Sequence, residues 1–158
     1  MLVACALAVG PGVATATAHE APLYDDPPYD WPVPSTPTLQ KSLDVAYRYW
    51  AARHVTVAPR AALDVRLAHL GPVIVALAEV GGERVWFDDL YYARAIKPRR
   101  DVWWRTAIRR DFCDTTVHEV GHTAGLLDGD PRYGMMDGAW APTPYGCRLA
   151  FRSPRPSG

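Results

Sequence analysis

His118-Glu119-Val120-Gly121-His122-Thr123-Ala124-Gly125-Leu126-Leu127-Asp128 is the stretch from which the rest of this chain is read. On a helix, His118 and His122 stand four residues apart, so both imidazoles leave one face a turn apart and can hold a single zinc ion. Glu119 is too close in sequence to be a further ligand, and it is placed to handle a proton on metal-bound water. Gly125 lets the chain leave the helix, and the turn brings Asp128 back toward the same ion. Two nitrogens, one carboxylate oxygen and an open fourth position describe a reactive site; a structural zinc normally has four protein ligands.

The residue inventory narrows the third ligand. No glutamate follows Glu119 and no histidine follows His122, which leaves Asp128, Asp130 and Asp137 as the downstream carboxylates. Asp128 lies in Leu127-Asp128-Gly129-Asp130, where a solvated turn residue is also a reasonable reading; in that case Asp130 is the substitute ligand.

The whole pattern resembles the metzincin signature, in which the third zinc ligand comes six residues after the second histidine. An aspartate at that position is the variant of the snapalysin-like and matrixin-like small secreted bacterial proteases. Asp130-Pro131 and Gly134-Met135-Met136-Asp137-Gly138 fall where that family has its Met-turn, with Met136 as its methionine. Weaker similarity covers Leu43 to Trp50 and Gly82 to Asp88, so the resemblance runs from Leu39 to Gly138. It implies an α+β, zincin-like domain: a short mixed twisted sheet, with a substrate strand at its edge, packed on two helices, one of which carries the histidines. It implies a secreted zinc endopeptidase acting on proteins or peptides, with Zn2+ held by His118, His122 and Asp128 and with Glu119 as general base. Met136 would form the apolar floor beneath the ligands. The strand ahead of the Gly81-Gly82 turn, comprising Val75, Ala76, Leu77, Ala78 and Glu79, would lie at the sheet edge and pair with the substrate backbone. Pro144 and Tyr145 would follow as the substrate wall, and Gly138 stands where some members carry a tyrosine that assists the oxyanion. The reading from a different class is a catalytically inactive zincin-like secreted binding module.

The remainder of the chain fits one exported domain. Its 158 residues are 49% apolar, enough for one core and not two, and the formal charge of +0 argues against a dedicated nucleic-acid or anionic-membrane binder. A monomer is expected, with no nucleic-acid partner and no stable membrane insertion. Residues 1–18 read as a signal peptide, with an apolar run from Leu2 to Val9 and an Ala16-Thr17-Ala18 cleavage pattern before His19. A lipoprotein anchored through Cys5 is the minor alternative, since Leu2-Val3-Ala4-Cys5 resembles a lipobox. Residues 19–37 form a proline-rich arm or short pro-segment, and residues 38–158 the catalytic domain.

Within that domain, Ser35 or Thr36 before Pro37 starts a helix whose Leu39, Leu43, Ala46, Tyr47 and Trp50 recur at helical spacing. Strands are expected over His54 to Ala58, Leu63 to Leu70, Pro72 to Val80 and Arg84 to Asp88. Between Lys97 and Arg110, six basic residues interleave with Trp103 and Trp104, read as a solvated loop or a preference for acidic substrates. Asp111 or Asp114 is expected to cap the zinc-binding helix. Cys113 and Cys147 are the two cysteines left after leader removal, and an exported chain is expected to pair them.

Overall fold

The computed structural model describes the backbone of residues 2–6 and, in full, residues 29–71, 73–98, 101–137 and 143–152. The expected cleavage pattern at Ala16 to Ala18, the arm from His19 to Pro28, and Gly138 lie outside the described residues. The elements in chain order are β1 (Leu2–Ala6), β2 (Asp30–Pro32), α1 (Pro37–Ala51), β3 (Asp64–Ala68), β4 (Ile74–Glu79), β5 (Arg84–Asp88), α2 (Asp89–Ile96), α3 (Val102–His122), a 3-10 turn (Gly134–Met136) and α4 (Tyr145–Ala150). The fold is α+β.

The strands form one mixed sheet in the order β1-β4-β5-β3-β2. β3 and β5 run parallel, and every other pair is antiparallel. Side chains alternate across the sheet as strand geometry requires. Leu67, Ala76, Ala78, Val85 and Phe87 enter the main core under the helices. Ala68, Leu77 and Trp86 point the other way and make a smaller cluster with Leu70 and Ile74.

α1 starts as expected: Thr36 is the N-cap, its hydroxyl accepts from the Leu39 N–H, and Pro37 takes the first turn, where its missing N–H costs nothing. Its apolar stripe buries Leu39, Leu43, Ala46 and Trp50. Trp50 is the packing anchor that joins α1 to α3, and its indole N–H donates to the Val117 carbonyl at 2.8 Å. Phe112 anchors α3 to the sheet and to α2, with Phe87 at 4.8 Å, Tyr92 at 5.7 Å and Tyr91 at 5.9 Å between ring centroids.

Several sequence expectations need correction. His54 to Ala58 is not a strand. His54 adopts a left-handed φ of 56° that ends α1, with Val55 N–H reaching back to the Trp50 carbonyl, as in a helix C-terminal cap. Ala58 then spends its backbone groups on side chains, its N–H on the Thr123 hydroxyl and its carbonyl on the Tyr47 hydroxyl. α3 is capped by Asp101, whose carboxylate accepts from the Trp104 N–H at 3.0 Å, and not by Asp111 or Asp114. Residues 102–110 are therefore helical. Val75 to Glu79 lie in β4, but β4 is interior in this chain, because Leu2–Ala6 pairs antiparallel with it, Leu2 opposite Glu79 and Cys5 opposite Ala76. Without β1 the sheet would end at β4.

The arm joins the domain at β2. Asp30 accepts from the Trp86 indole at 2.7 Å and pairs with Arg66 at 2.7 Å, and that guanidinium keeps its carboxyl below the ordinary range. Asp30 is committed to the sheet. The expected disulfide is present, Cys113–Cys147, with Cα atoms 5.7 Å apart, tying α4 to the middle of α3.

Asp111, which is exposed, and the half-buried Asp114 stand within α3 with other roles than capping. Asp111 accepts from the Tyr91 hydroxyl at 2.8 Å. Asp114 has one carboxylate oxygen with no partner among the described residues, and burial raises its pKa to about 7 despite a hydrogen bond from Thr143. Its ionisation opposes folding, so stability should fall as pH rises from about 4 through 7. Asp114→Asn should be more stable than the parent by roughly 2 kcal/mol at pH 8, after discounting for the partly exposed side chain, with the gap closing below pH 4. Urea midpoints at the two pH values measure it; equal gaps at both would refute the assignment.

Candidate metal centre

The C-terminal half of α3 is buried all round, from Thr115 to His122. A helix end that buries two histidines and a glutamate in place of apolar residues gives up stability, and its surroundings show what compensates. The His118 Nδ1 lies 2.8 Å from the Met135 carbonyl, and the His122 Nδ1 lies 2.7 Å from the Leu126 carbonyl. Because a carbonyl can only accept, both Nδ1 atoms carry the proton, and in the neutral ring each Nε2 is then a lone pair. Those lone pairs face one another at 3.1 Å. Asp128 completes the group, its Oδ1 2.8 Å from the His118 Nε2 and 3.5 Å from the His122 Nε2.

Three acceptors aimed at one another repel unless a cation lies between them. One proton can serve only two of them, whereas a metal ion serves all three. Donors held about 2.0–2.1 Å from a tetrahedral zinc stand roughly 3.3–3.4 Å apart. The observed spacings of 2.8, 3.1 and 3.5 Å bracket that value, and these ligand atoms are grouped closely enough to share an ion. Partial burial pushes the Asp128 carboxyl up; without an ion, protonation of the imidazoles at Nε2 turns them into donors to Asp128, which outweighs burial and holds the carboxyl well below the carboxylate range.

Glu119 is fully buried, and neither of its carboxylate oxygens has a hydrogen-bond partner among the described residues. Burial raises its pKa, the two imidazoles partly oppose the rise, and Asp128 adds to it. A buried carboxylate with no partner is costly, and such groups concentrate where a ligand or a reaction uses them.

Asp130 does not join this group. Its carboxylate takes the Arg132 guanidinium at 2.6 and 3.0 Å together with the Arg132 backbone N–H. Asp137 is exposed and outside the group. Gly125 has the left-handed φ of 80° that the turn toward Asp128 demands, a conformation that other residues rarely adopt.

Met136 is fully buried against α3, its sulfur 2.8 Å from where a Cβ on Gly121 would stand, and the Trp50 ring is 2.4 Å from the same point. Glycine inside a helix costs about 1 kcal/mol relative to alanine. Here it admits an indole and a thioether that fix the helix face from behind. Gly121→Ala should lower stability by about 1–3 kcal/mol, since Trp50 is held by its own hydrogen bond and cannot retreat. A urea midpoint at or above that of the parent would contradict this packing. The Met136 carbonyl also accepts from Gly129 N–H, which braces the loop carrying Asp128.

Residues that sequence reasoning missed are mostly backbone groups: the carbonyls of Met135 and Leu126, which set the histidine tautomers, have no side-chain signature. A second His/Asp group, His69, Asp88 and Asp89, has a different explanation. Both Asp88 oxygens accept backbone N–H groups, one from Tyr91, which caps α2, and one from Leu70 in the loop after β3. Pro144 and Tyr145 begin α4 and line a cavity of about 710 Å³ against α1, to which none of the clustered histidines or aspartates contributes.

The chain matches no family model, no curated protein and no solved structure at a significant level.

Proposed function

We propose that this chain is an exported, zinc-dependent endopeptidase of metzincin type. The observation that carries the reading is the convergence of His118 Nε2, His122 Nε2 and Asp128 Oδ1 beside the buried carboxylate of Glu119. Zinc, when bound, polarises a carbonyl and lowers the pKa of a water from about 15.7 to about 7. His118 and His122 offer neutral nitrogens oriented by the carbonyls behind them, and Asp128 brings one negative charge to the ligand set. Glu119 takes the proton from the attacking water on its carboxylate and returns it to the departing amine, which restores the free carboxylate for the next cycle. Burial raises its pKa, which makes the carboxylate a stronger proton acceptor.

An extended peptide would pair antiparallel along β4, as β1 does in the full chain. A buried disulfide fits an oxidising compartment, in keeping with export behind a leader. Among the described residues no helix is long and apolar enough to cross a membrane.

The test is digestion of a complex peptide library by purified chain, read by mass spectrometry, with and without a chelator. Cleavage that a chelator stops and zinc restores supports the reading. A chain starting at His19 should cleave faster than the full chain, because the β4 edge is then open. Bound zinc without turnover in either form would favour a zincin-like binding module.

A further inference from the structure

α4 meets α1 through a residue without a side chain. A Cβ on Gly146 would stand 2.8 Å from Val45 Cγ1, so the glycine lets the two helices close on one another here. A cavity of about 710 Å³ lies beside this contact, within the range of about 300–1,000 Å³ in which proteins hold ligands. Val45, Arg48, Tyr49 and Arg53 line it from α1 and the turn that follows, and Tyr145 and Leu149, one turn apart, line it from α4. Tyr145 is 69% exposed and Leu149 48%, so a helix of six residues presents two large apolar groups to solvent at the cavity's edge. Paired in this way, they form the kind of patch that marks a contact surface.

Three arginines line the cavity and no acidic residue does, in a chain whose formal charge is +0. The charge of Arg148 also acts on Asp114 of α3, which leaves Arg48 and Arg53 as the pair offered to a ligand. Both are anchored at one point. The Arg48 Nε donates to the Asp44 carbonyl at 3.0 Å, and the Asp44 carboxylate is itself paired with Arg60. Arg53 donates through Nη1 to the Tyr49 carbonyl at 3.1 Å, with its guanidinium carbon 3.5 Å from the centroid of the Tyr49 ring. Neither arginine has a carboxylate partner among the described residues. A guanidinium carries five N–H donors in a planar fork, so each anchor leaves donors for an incoming carboxylate.

We propose that the groove between α1 and α4 binds an acidic segment of a partner protein, with its carboxylates on Arg48 and Arg53 and an apolar side chain against Tyr145 and Leu149. Arginine and tyrosine are enriched at protein interfaces while lysine and acidic residues are depleted, and the groove has that composition. An anionic lipid surface draws lysine and arginine alike, and this wall holds no lysine. Stacking bases need an open ring face, but Tyr49 has Arg53 over its ring and is packed edge to face with Trp50 at 5.0 Å. None of the clustered histidines or aspartates lines the groove, so the inference stands whether or not the chain is a peptidase.

The full chain is tested on an array of hexapeptides built from Asp, Glu, Pro, Leu and Tyr, beside the same array with Asn for Asp and Gln for Glu. Retention on the acidic array that weakens with salt, and none on the neutral array, is expected. The best-retained peptide is then titrated by fluorescence anisotropy. An exposed ion pair is worth up to about fivefold in binding, so R48Q/R53Q should weaken the peptide by about fivefold or more. Y145S/L149S should weaken it by a similar factor. All four side chains are exposed, so the fold survives both variants. R94Q/K97Q removes two exposed charges at α2, outside the groove, and should bind like the parent. Equal retention on the two arrays would overturn the proposal, as would an equal loss in the α2 control, which would leave only general charge attraction. Full displacement of the peptide by citrate would assign the arginines to a small anion and also overturn it. So would dimerisation of the free chain that Y145S/L149S abolishes, since the groove would then belong to a second copy.

Discussion

Glu119→Gln is expected to lower peptide hydrolysis by about 10²–10⁴-fold while leaving the zinc content unchanged. The two effects separate because Glu119 is not among the clustered ligand atoms, so its amide counterpart removes the proton acceptor and leaves the ion's donors in place. A second consequence follows from burial. In the metal-free parent the Glu119 carboxyl is fully buried without a partner among the described residues, its pKa is raised, and its ionisation opposes folding. The variant cannot ionise, so without metal it should unfold at higher urea, with the advantage growing as pH rises from the ordinary glutamate range toward the folded-state value and levelling off above it. Hydrolysis that persists in the variant at the parent's rate would remove Glu119 from the mechanism. A metal-free variant less stable than the parent at pH 8 would show that the carboxylate has a partner.

The second large effect concerns the bridge between Cys113 and Cys147. These residues are 34 apart in sequence, and closing such a loop restricts the unfolded chain by about 3–4 kcal/mol on chain-entropy arithmetic. Cys113→Ser/Cys147→Ser should lose that much stability, seen as a lower urea midpoint, and should lose α4 from α3 before the rest of the fold melts. The segment between the two cysteines contains His118, Glu119, His122, Asp128 and Met136, so the His/Asp cluster is expected to be the part most affected. An unchanged midpoint would mean that Phe151 and the close contact of Val45 with Gly146 suffice to hold α4.

The centre was legible in the sequence wherever its logic is local. A four-residue spacing places two histidines on one helix face, a glycine and six residues return Asp128, and a count of cysteines gives the bridge. α1 was legible because its cap, its proline and its apolar period agree. What failed to show was non-local. Ala58 reads as the end of a strand by composition, yet its hydrogen bonds go to Tyr47 and to Thr123, 65 residues away. The first half of α3 reads as a basic, aromatic loop because its tip is solvated and carries no apolar stripe, while its cap at Asp101 lies ten residues before the expected one. α2 went unpredicted, since Asp88 and Asp89 continue a strand pattern in sequence and only the Asp88 contact to the Tyr91 N–H turns the chain into a helix. The pairing of Leu2–Ala6 with β4 is invisible to a reading that treats an apolar run only as a leader.

One hydrogen bond links the sheet to the centre mechanically. The His122 carbonyl, at the end of α3, accepts from Gly125 at 2.8 Å and also from Gly81 at 2.9 Å, in the turn between β4 and β5. Gly81 sits in the left-handed region, with φ at 73°, so the turn is a fixed corner that other residues would strain. The β4–β5 corner and the turn that leads to Asp128 therefore hang on one carbonyl, that of the second histidine.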